Sequence, residues 1–396
     1  MDKKVFKLEE KGDYPIIAIC YDFDKTLSPD DMQAQGYIQS VGYDISEFWK
    51  ESNSLAQEND MDQNLAYMYQ MSTKCRGKFY LTKESLAEYG AKVKLFNGVE
   101  EWFERIRKYG FEKGVIIEHY IISSGLKEMI EGTKMAKANS FKKIYASSYY
   151  YDSANVAIWP AQAVNYTNKT QFLFRIEKGT LDVNDDRVNN YFPPENIRIP
   201  FRNIIYIGDS ATDIPCMKLV NSYGGYSIGV YDPQSNDKTK VYDMMNENRI
   251  KYYVPADYSE GHELDKLIKH IIDKTAKNEI LERKYYSDKK EAEEHRSNQA
   301  DGIKNNLIYS LINSRSFATT HTIINKMNEV KCWNNLQLEQ IYFAVTTNGQ
   351  IYSIITDYDI SLFLKTLLQN YKFRNDDTEK IEKLLGQNIK VLNSDL

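Results

Sequence analysis

Four short apolar runs, each halted by an acidic or glycine-bearing turn and separated by stretches with helical spacing, restrict this chain more than any other feature. Tyr14 to Phe23 is rich in isoleucine and ends among acidic residues. Tyr120 to Ile122 follows a helix-like stretch, Val99 to Tyr109, and opens into Ser123-Ser124-Gly125. Asn203 to Ile207 ends in Gly208-Asp209, and Ser227 to Val230 precedes Asp232-Pro233. Unbroken apolar runs of this length suit strands buried on both faces. Strands alternating with helices build βαβ units, so the expected fold is α/β with a doubly wound, Rossmann-like parallel sheet.

The spaces between the runs set the expected domains. Between the first run and Val99 lie about 70 residues, too many for a plain crossover loop. They carry helical spacing in Ile45 to Trp49, Asn64 to Met71 and Lys83 to Val93. This predicts a small helical cap inserted at the end of the first strand. Tyr145 to Asp152 and Asn155 to Trp159 suggest a β-hairpin, with Trp159-Pro160 marking a turn. After Pro255 the alternation stops. Lys274 to Gln299 is strongly charged and reads as a solvated helix or a linker. Beyond it, apolar stripes in Ile303 to Ile312, Thr319 to Met327, Leu336 to Val345 and Ile360 to Leu368 predict a separate all-helical domain. The expected division is a core of residues 1–28 and 97–275, a cap of 29–96 and a C-terminal helical domain of 276–396.

Composition narrows the function classes. With 396 residues the chain exceeds one ordinary domain. The formal net charge is −5 and no Lys/Arg block appears, which argues against nucleic acid as a partner. No apolar run is long enough to cross a bilayer, and the charged N-terminus does not read as a signal peptide, so neither membrane nor secretion is expected. Cys20, Cys75, Cys216 and Cys332 show no CxxC pair and no disulfide spacing, which suits the cytoplasm and argues against a thiolate metal site.

Four elements carry candidate chemistry. In Asp22-Phe23-Asp24-Lys25-Thr26-Leu27, two carboxylates leave the carboxyl end of a strand, where open α/β sheets bind ligands. One can attack or bind metal while the other moves a proton; taken alone, the pattern equally describes an acidic surface turn. Ser123-Ser124-Gly125 offers a hydroxyl and backbone amides to a phosphate oxygen, and reads as well as an ordinary strand-to-helix turn. Lys169, before the apolar helix Phe172 to Ile176, opposes the helix dipole, which a nearby anion would explain and a solvated lysine would not require. In Gly208-Asp209-Ser210-Ala211-Thr212-Asp213, the glycine lets the backbone turn sharply and two carboxylates offer hard oxygen ligands.

In this order, and over roughly Tyr14 to Val230, the four elements resemble the haloacid dehalogenase superfamily. They are most similar to its phosphoserine-phosphatase-like members, whose helical cap follows the first motif. The resemblance implies a magnesium-dependent phosphatase acting on a small phosphorylated metabolite. Asp22 would be the nucleophile that becomes phosphorylated, and Asp24 the general acid and base. Thr26, Ser123, Ser124 and Lys169 would contact the phosphoryl group, with Lys169 also offsetting charge on the nucleophile. Asp22, Asp24 through its backbone carbonyl, Asp209 and Asp213 would form the Mg2+ site. Asp24-Lys25-Thr26 is also similar to the phosphorylated-aspartate motif of ion-pumping ATPases, and the lack of a membrane run argues against that family.

Two alternatives stay open from sequence. One is phosphotransfer to an acceptor other than water. The other is a binding or regulatory protein working through the C-terminal helical domain, which would also be the place for homo-oligomer contacts. Outside the motifs, Leu65 to Met71 reads as helix core before it reads as pocket lining. The five histidines have no metal-ligand spacing, and His119 reads as structural.

Overall fold

The computed structural model describes residues 6–298 and 300–392, with the side chains of 294–301 and 387–392 left out of the description. Strands β1 (Ile16–Tyr21), β2 (Ile116–Leu126), β3 (Lys143–Tyr151), β4 (Ala157–Gln162), β5 (Ile204–Gly208), β6 (Tyr226–Tyr231) and β7 (Tyr252–Pro255) form one sheet in the order β4-β3-β2-β1-β5-β6-β7. All neighbours are parallel except β3 and β4. The chain builds outward from β1 in one direction, then returns to its other side at β5. This makes the β1–β5 boundary the switch point of a doubly wound sheet.

Helices α1 (Tyr37–Ser40), α2 (Ile45–Glu58), α3 (Gln63–Lys74) and α4 (Lys83–Gly90) make up the insertion after β1. Next come α5 (Val99–Glu112), α6 (Lys127–Gly132), α7 (Lys134–Lys137), α8 (Thr170–Lys178), α9 (Ile214–Ser222), α10 (Thr239–Asn246) and α11 (Glu263–Asn298). All six residues of β1 are buried, and the period of two divides them between two layers. Ile17, Ile19 and Tyr21 pack with Trp102, Ile106 and Ile268, while Ala18 and Cys20 pack with Phe172, Leu173 and Met217.

The insertion is defined by its own start signals. Asp44 and Asp62 accept backbone N–H bonds at the first turns of α2 and α3, and Thr82 and Ser85 form a reciprocal capping pair on α4. Helix α4 then lies directly on α6. A Cβ on Gly90 would sit 1.8 Å from the Met129 carbonyl oxygen, and one on Gly132 would sit 2.1 Å from that of Ala87. The two backbones meet because neither residue has a side chain.

Several elements differ from expectation. β2 begins at Ile116 rather than Tyr120, because its two polar residues are paired. Glu118 accepts from Arg198 at 2.7 and 2.8 Å. The buried His119 takes a hydrogen bond from the Tyr21 hydroxyl at 2.9 Å on Nδ1 and donates from Nε2 to the Phe103 carbonyl. β3 is more than a hairpin arm, since it also pairs parallel with β2. Trp159 and Pro160 lie within β4 rather than at a turn; β4 is a sheet edge, where proline is tolerated. β7 adds a short edge strand next to β6.

His119 gives a pH expectation. Burial, reinforced by the charge of Arg107, pushes its pKa from 6.5 down to about 3. The unfolded chain therefore takes up a proton near pH 6.5 that the folded protein refuses, and stability is lost as pH falls from there toward 3. Near pH 4.5 this amounts to about 2–3 kcal/mol. Urea unfolding followed by fluorescence of the neighbouring Trp102 should show it, and His119→Gln should flatten the acid slope. Equal slopes in the two proteins would refute the assignment.

The chain divides at Glu282/Arg283 into two compact units. The start of α11 belongs to the first: Leu264, Ile268 and Ile272 are fully buried there, and Glu279 accepts from Arg202 and Asn203. The charged stretch from Lys274 is thus anchored helix at its beginning rather than a linker. The second unit contains α12 (Ala300–Ile312), α13 (Phe317–Asn328), α14 (Asn335–Thr347), α15 (Gly349–Ser353), α16 (Tyr358–Asn370) and α17 (Asp376–Leu392) around its own core of residues such as Ile324, Leu338, Ile341 and Leu364. Among the described residues, no helix is long and apolar enough to cross a membrane.

Candidate active site

The first motif is a tight turn off the central strand. The Asp22 N–H donates to Ile207 O at 3.0 Å, keeping the residue against β5. The N–H groups of Thr26, Leu27 and Ser28 then converge on the Phe23 carbonyl at 3.3, 2.8 and 3.1 Å. Lys25 adopts a left-handed φ of 56° to allow this. Tyr258 Oη donates to Thr26 O at 2.9 Å and pins the turn. Asp22 Oδ1 accepts from the Phe23 N–H at 2.7 Å, and Asp24 Oδ1 accepts from the Met32 N–H at 2.9 Å. The carboxyl groups of both motif aspartates are thereby fixed by backbone donors.

From the other side of the switch point, β5 delivers Asp209 and Asp213. Gly208 is not in a left-handed conformation, so the sharp turn expected of it is not its reason. A Cβ there would lie 2.5 Å from Asp213 Oδ2, and glycine is needed for that close approach. Asp213 accepts from Tyr206 Oη at 2.8 Å, from Ser210 N at 3.2 Å and from Lys169 Nζ at 2.8 Å. Lys169, at the end of a 3-10 turn directly before α8, also reaches Asp22 Oδ2 at 3.3 Å. One carboxylate oxygen from each of Asp22, Asp209 and Asp213 lies within 4.8 Å of the others.

Burial and mutual repulsion disturb these groups strongly. Burial, then the Asp213 charge, lifts Asp22 to about 6. Asp209 is lifted to about 8 by burial and by Asp213 and Asp22. Asp24 is held well above the usual carboxylate range by burial, then by Asp31 and Asp22. Burial works against the charge of Lys169, yet Asp213 and Asp22 outweigh it and its pKa rises. Three clustered carboxylates thus share one ammonium, which touches two of them. That excess of hard anionic oxygen suits a divalent cation such as Mg2+.

The cluster opens into a cavity of about 270 Å3 whose core-side wall includes Asp22, Asp24, Ser123, Ser124 and Asp209. Ser123 Oγ accepts from the Gly125 N–H at 3.1 Å, while Ser124 Oγ is buried without a hydrogen-bond partner among the described residues. Gly125 has no room for a side chain, since a Cβ would meet Met32 and lie 3.0 Å from Asp24 Oδ2. Lys169, Asp213 and Thr26 do not line the cavity. Lys169 and Asp213 stand behind Asp22, and Thr26 is fully buried in the turn.

The cap side holds residues that sequence reasoning passed over, chiefly Gln33, Trp49 and Asn53. Within the stretch read mainly as core, Ala66, Met68 and Met71 are buried, but Asn64 and Tyr67 face the cavity, and Tyr67 Oη donates to Ser124 O at 2.8 Å. Their helical spacing hid this, because one helix face serves both core and cleft.

The family model for haloacid dehalogenase-like hydrolases matches residues 19–218, which run from within β1 into α9 and include every motif described above. This chain belongs to the haloacid dehalogenase-like hydrolase family. It is 29% identical over 276 residues to an uncharacterized protein of Borreliella burgdorferi, a match covering 63% of this chain and 94% of that one. Among solved structures it is similar to a HAD family hydrolase from Salmonella enterica serovar Typhi, with 18% identity, a TM-score of 0.43 and coverage of 66% of this chain and 73% of that one. It is also similar to a substrate-bound phosphoserine phosphatase, with 14% identity, a TM-score of 0.40 and coverage of 64% and 97% respectively. These structural likenesses are too distant to transfer a substrate.

Proposed function

We propose that this protein hydrolyses small phosphate monoesters in the Asp22 cleft through a transient phosphoaspartyl intermediate. The observation that carries this reading is the unequal pair at the end of β1. Asp22 is held beside the Lys169 ammonium at 3.3 Å, while the carboxyl group of Asp24 is held well above its usual range. Burial raises both, but Asp22 has the Lys169 ammonium in contact to favour its ionised form, and neighbouring carboxyl groups set apart in this way divide naturally into nucleophile and acid.

In the first half-reaction an Asp22 oxygen attacks phosphorus, the bond to the leaving oxygen breaks, and that oxygen takes the Asp24 proton. In the second, water attacks the same phosphorus, returns a proton to Asp24 and frees Asp22 and phosphate. Ser123 and Ser124 bind phosphoryl oxygens. Lys169 acts from behind, orienting Asp22 and offsetting its charge. Asp22, Asp209 and the Asp24 backbone carbonyl would hold Mg2+, with Asp213 orienting that shell. When bound, the ion supplies positive charge for the equatorial phosphoryl oxygens. The scattered, free cysteines support the cytoplasm as its location.

The test is phosphate release from p-nitrophenyl phosphate by the full-length protein. Turnover with Mg2+ should vanish in excess chelator and return when Mg2+ is restored. Full turnover in chelator would remove the metal from the reaction, and no turnover with Mg2+ would refute the phosphatase reading.

A further inference from the structure

The cap-side wall of the cleft offers hydrogen-bonding groups that the phosphoryl chemistry leaves unused. Gln33 is only 2% exposed and lines the cavity, yet among the described residues its carboxamide makes no hydrogen bond. With no partner among the described residues at the cavity wall, its donor and acceptor are available to a ligand that can both accept and donate. Its neighbours do not share this condition. Gln35 donates to Ser28 Oγ at 2.7 Å and accepts from the Lys94 N–H at 2.8 Å.

Gln33 also has an informative position. It follows Met32 in the 3-10 turn Met32–Ala34, and the Met32 N–H is the group that holds Asp24. Asp24 is the residue that protonates the leaving oxygen. Gln33 therefore stands beside the leaving group rather than the phosphoryl group.

Helix α2 contributes Trp49 and Asn53, four residues apart and so on one helix face. The Trp49 indole packs edge-to-face with Phe48 and Tyr67, which fixes its orientation, and its Nε1 is buried without a partner among the described residues. On α3, Asn64 spends its Nδ2 on Val164 O at 2.6 Å, leaving its Oδ1 as an acceptor.

On the cap-side wall the Asp31 carboxylate is paired with Lys25 at 3.0 Å, and among the described residues no arginine lines the cavity; the Lys240 ammonium belongs to the core side, where its charge acts on Asp209. An amino-acid or carboxylic-acid leaving group would find no free opposite charge on the cap-side wall. Neutral carboxamides beside a fixed aromatic plane match hydroxyl groups, which both donate and accept, on a compact ring.

Resting on the phosphatase reading above, we infer that the natural leaving group is an uncharged polyhydroxylated alcohol, a sugar or a ribonucleoside. Gln33 is the specificity-determining contact and Trp49 the platform for the ring.

The test compares kcat/KM of the full-length protein for ribose phosphate, glucose phosphate, adenosine monophosphate, phosphoserine and phosphoglycolate, each relative to p-nitrophenyl phosphate. At least one hydroxylated substrate should exceed both charged ones by about tenfold or more. A nucleotide preference would identify the alcohol as a nucleoside, and a sugar-phosphate preference as a free sugar. Gln33→Leu should lower the ratio of the preferred substrate to p-nitrophenyl phosphate by about tenfold, and Asn53→Leu, on the exposed part of α2, should lower it in the same direction. The aryl substrate reports folding within each variant. Preference for phosphoserine or phosphoglycolate, or equal losses on every substrate in Gln33→Leu, would overturn the inference. If no substrate is turned over, the phosphatase reading fails by itself. Calorimetric binding of the same phosphates then decides the inference: selective binding of a hydroxylated phosphate that Gln33→Leu weakens tenfold upholds it, and unselective or absent binding overturns it.

Discussion

Replacing Asp22 by asparagine is expected to lower turnover of p-nitrophenyl phosphate by roughly 10^3-fold or more while the protein stays folded. A carboxamide keeps the shape and can still face the Phe23 N–H that Asp22 meets at 2.7 Å, but it is a poor nucleophile toward phosphorus. Stability should move the other way. Burial, then Asp213, lifts Asp22 to about 6 from 3.8. The stability tied to that raised value is present below pH 3.8 and lost as pH rises through about 6, so at neutral pH the ionised carboxylate is a burden. With chelator present, the variant should melt no lower than the parent, and higher if the burial cost outweighs the lost contact with Lys169. Turnover above about one hundredth of the parent rate would remove Asp22 from the nucleophile's role, and unfolding would show that its charge is structural.

Lys169→Met should damage both fold and chemistry. The side chain is fully buried and its ammonium lies 2.8 Å from Asp213 and 3.3 Å from Asp22. A methionine of similar length leaves those carboxylates uncompensated, at an expected cost of about 3–5 kcal/mol. Turnover should fall by about 10^2-fold or more, since charge near the transferring phosphoryl group is lost. Lysine and arginine are not interchangeable at a fully enclosed site, so Lys169→Arg should not rescue it. The informative variant is the double substitution of Lys169→Met with Asp213→Asn. Removing a carboxylate together with its cation should recover much of the stability but little of the activity. Urea midpoints and initial rates measure both, and a single Lys169→Met protein with the parent's midpoint would sink this account.

The legible parts of the molecule were those where one physical demand set the residue types. β1 and β5 are buried on both faces, and their unbroken apolar runs announced them, as did the aspartates placed just beyond their ends. β2 was shortened by Glu118 and His119, because a polar residue in a buried strand is legible only once its partner is known, and Arg198 and Tyr21 are distant in sequence. The importance of Gly208 was visible but its reason was not, since a close approach by the Asp213 carboxylate leaves no trace in local sequence. Lys169 was singled out from helix-dipole reasoning, and its actual station behind Asp22 depends on tertiary packing. Gln33 carried no signal at all. A glutamine in a polar connection looks like every other surface glutamine until the fold encloses it.

The close approaches of Gly90 to Met129 and of Gly132 to Ala87 have a mechanical consequence for the cap. Where backbone meets backbone there is no side chain to swing aside, so any substituent at either glycine would have to pry α4 and α6 apart. Helix α3 is held by side chains instead: Tyr67, Met68 and Met71 are buried in the main core, and Tyr67 to Ser124 O, Asn64 to Val164 O and Tyr149 to Met68 O add hydrogen bonds.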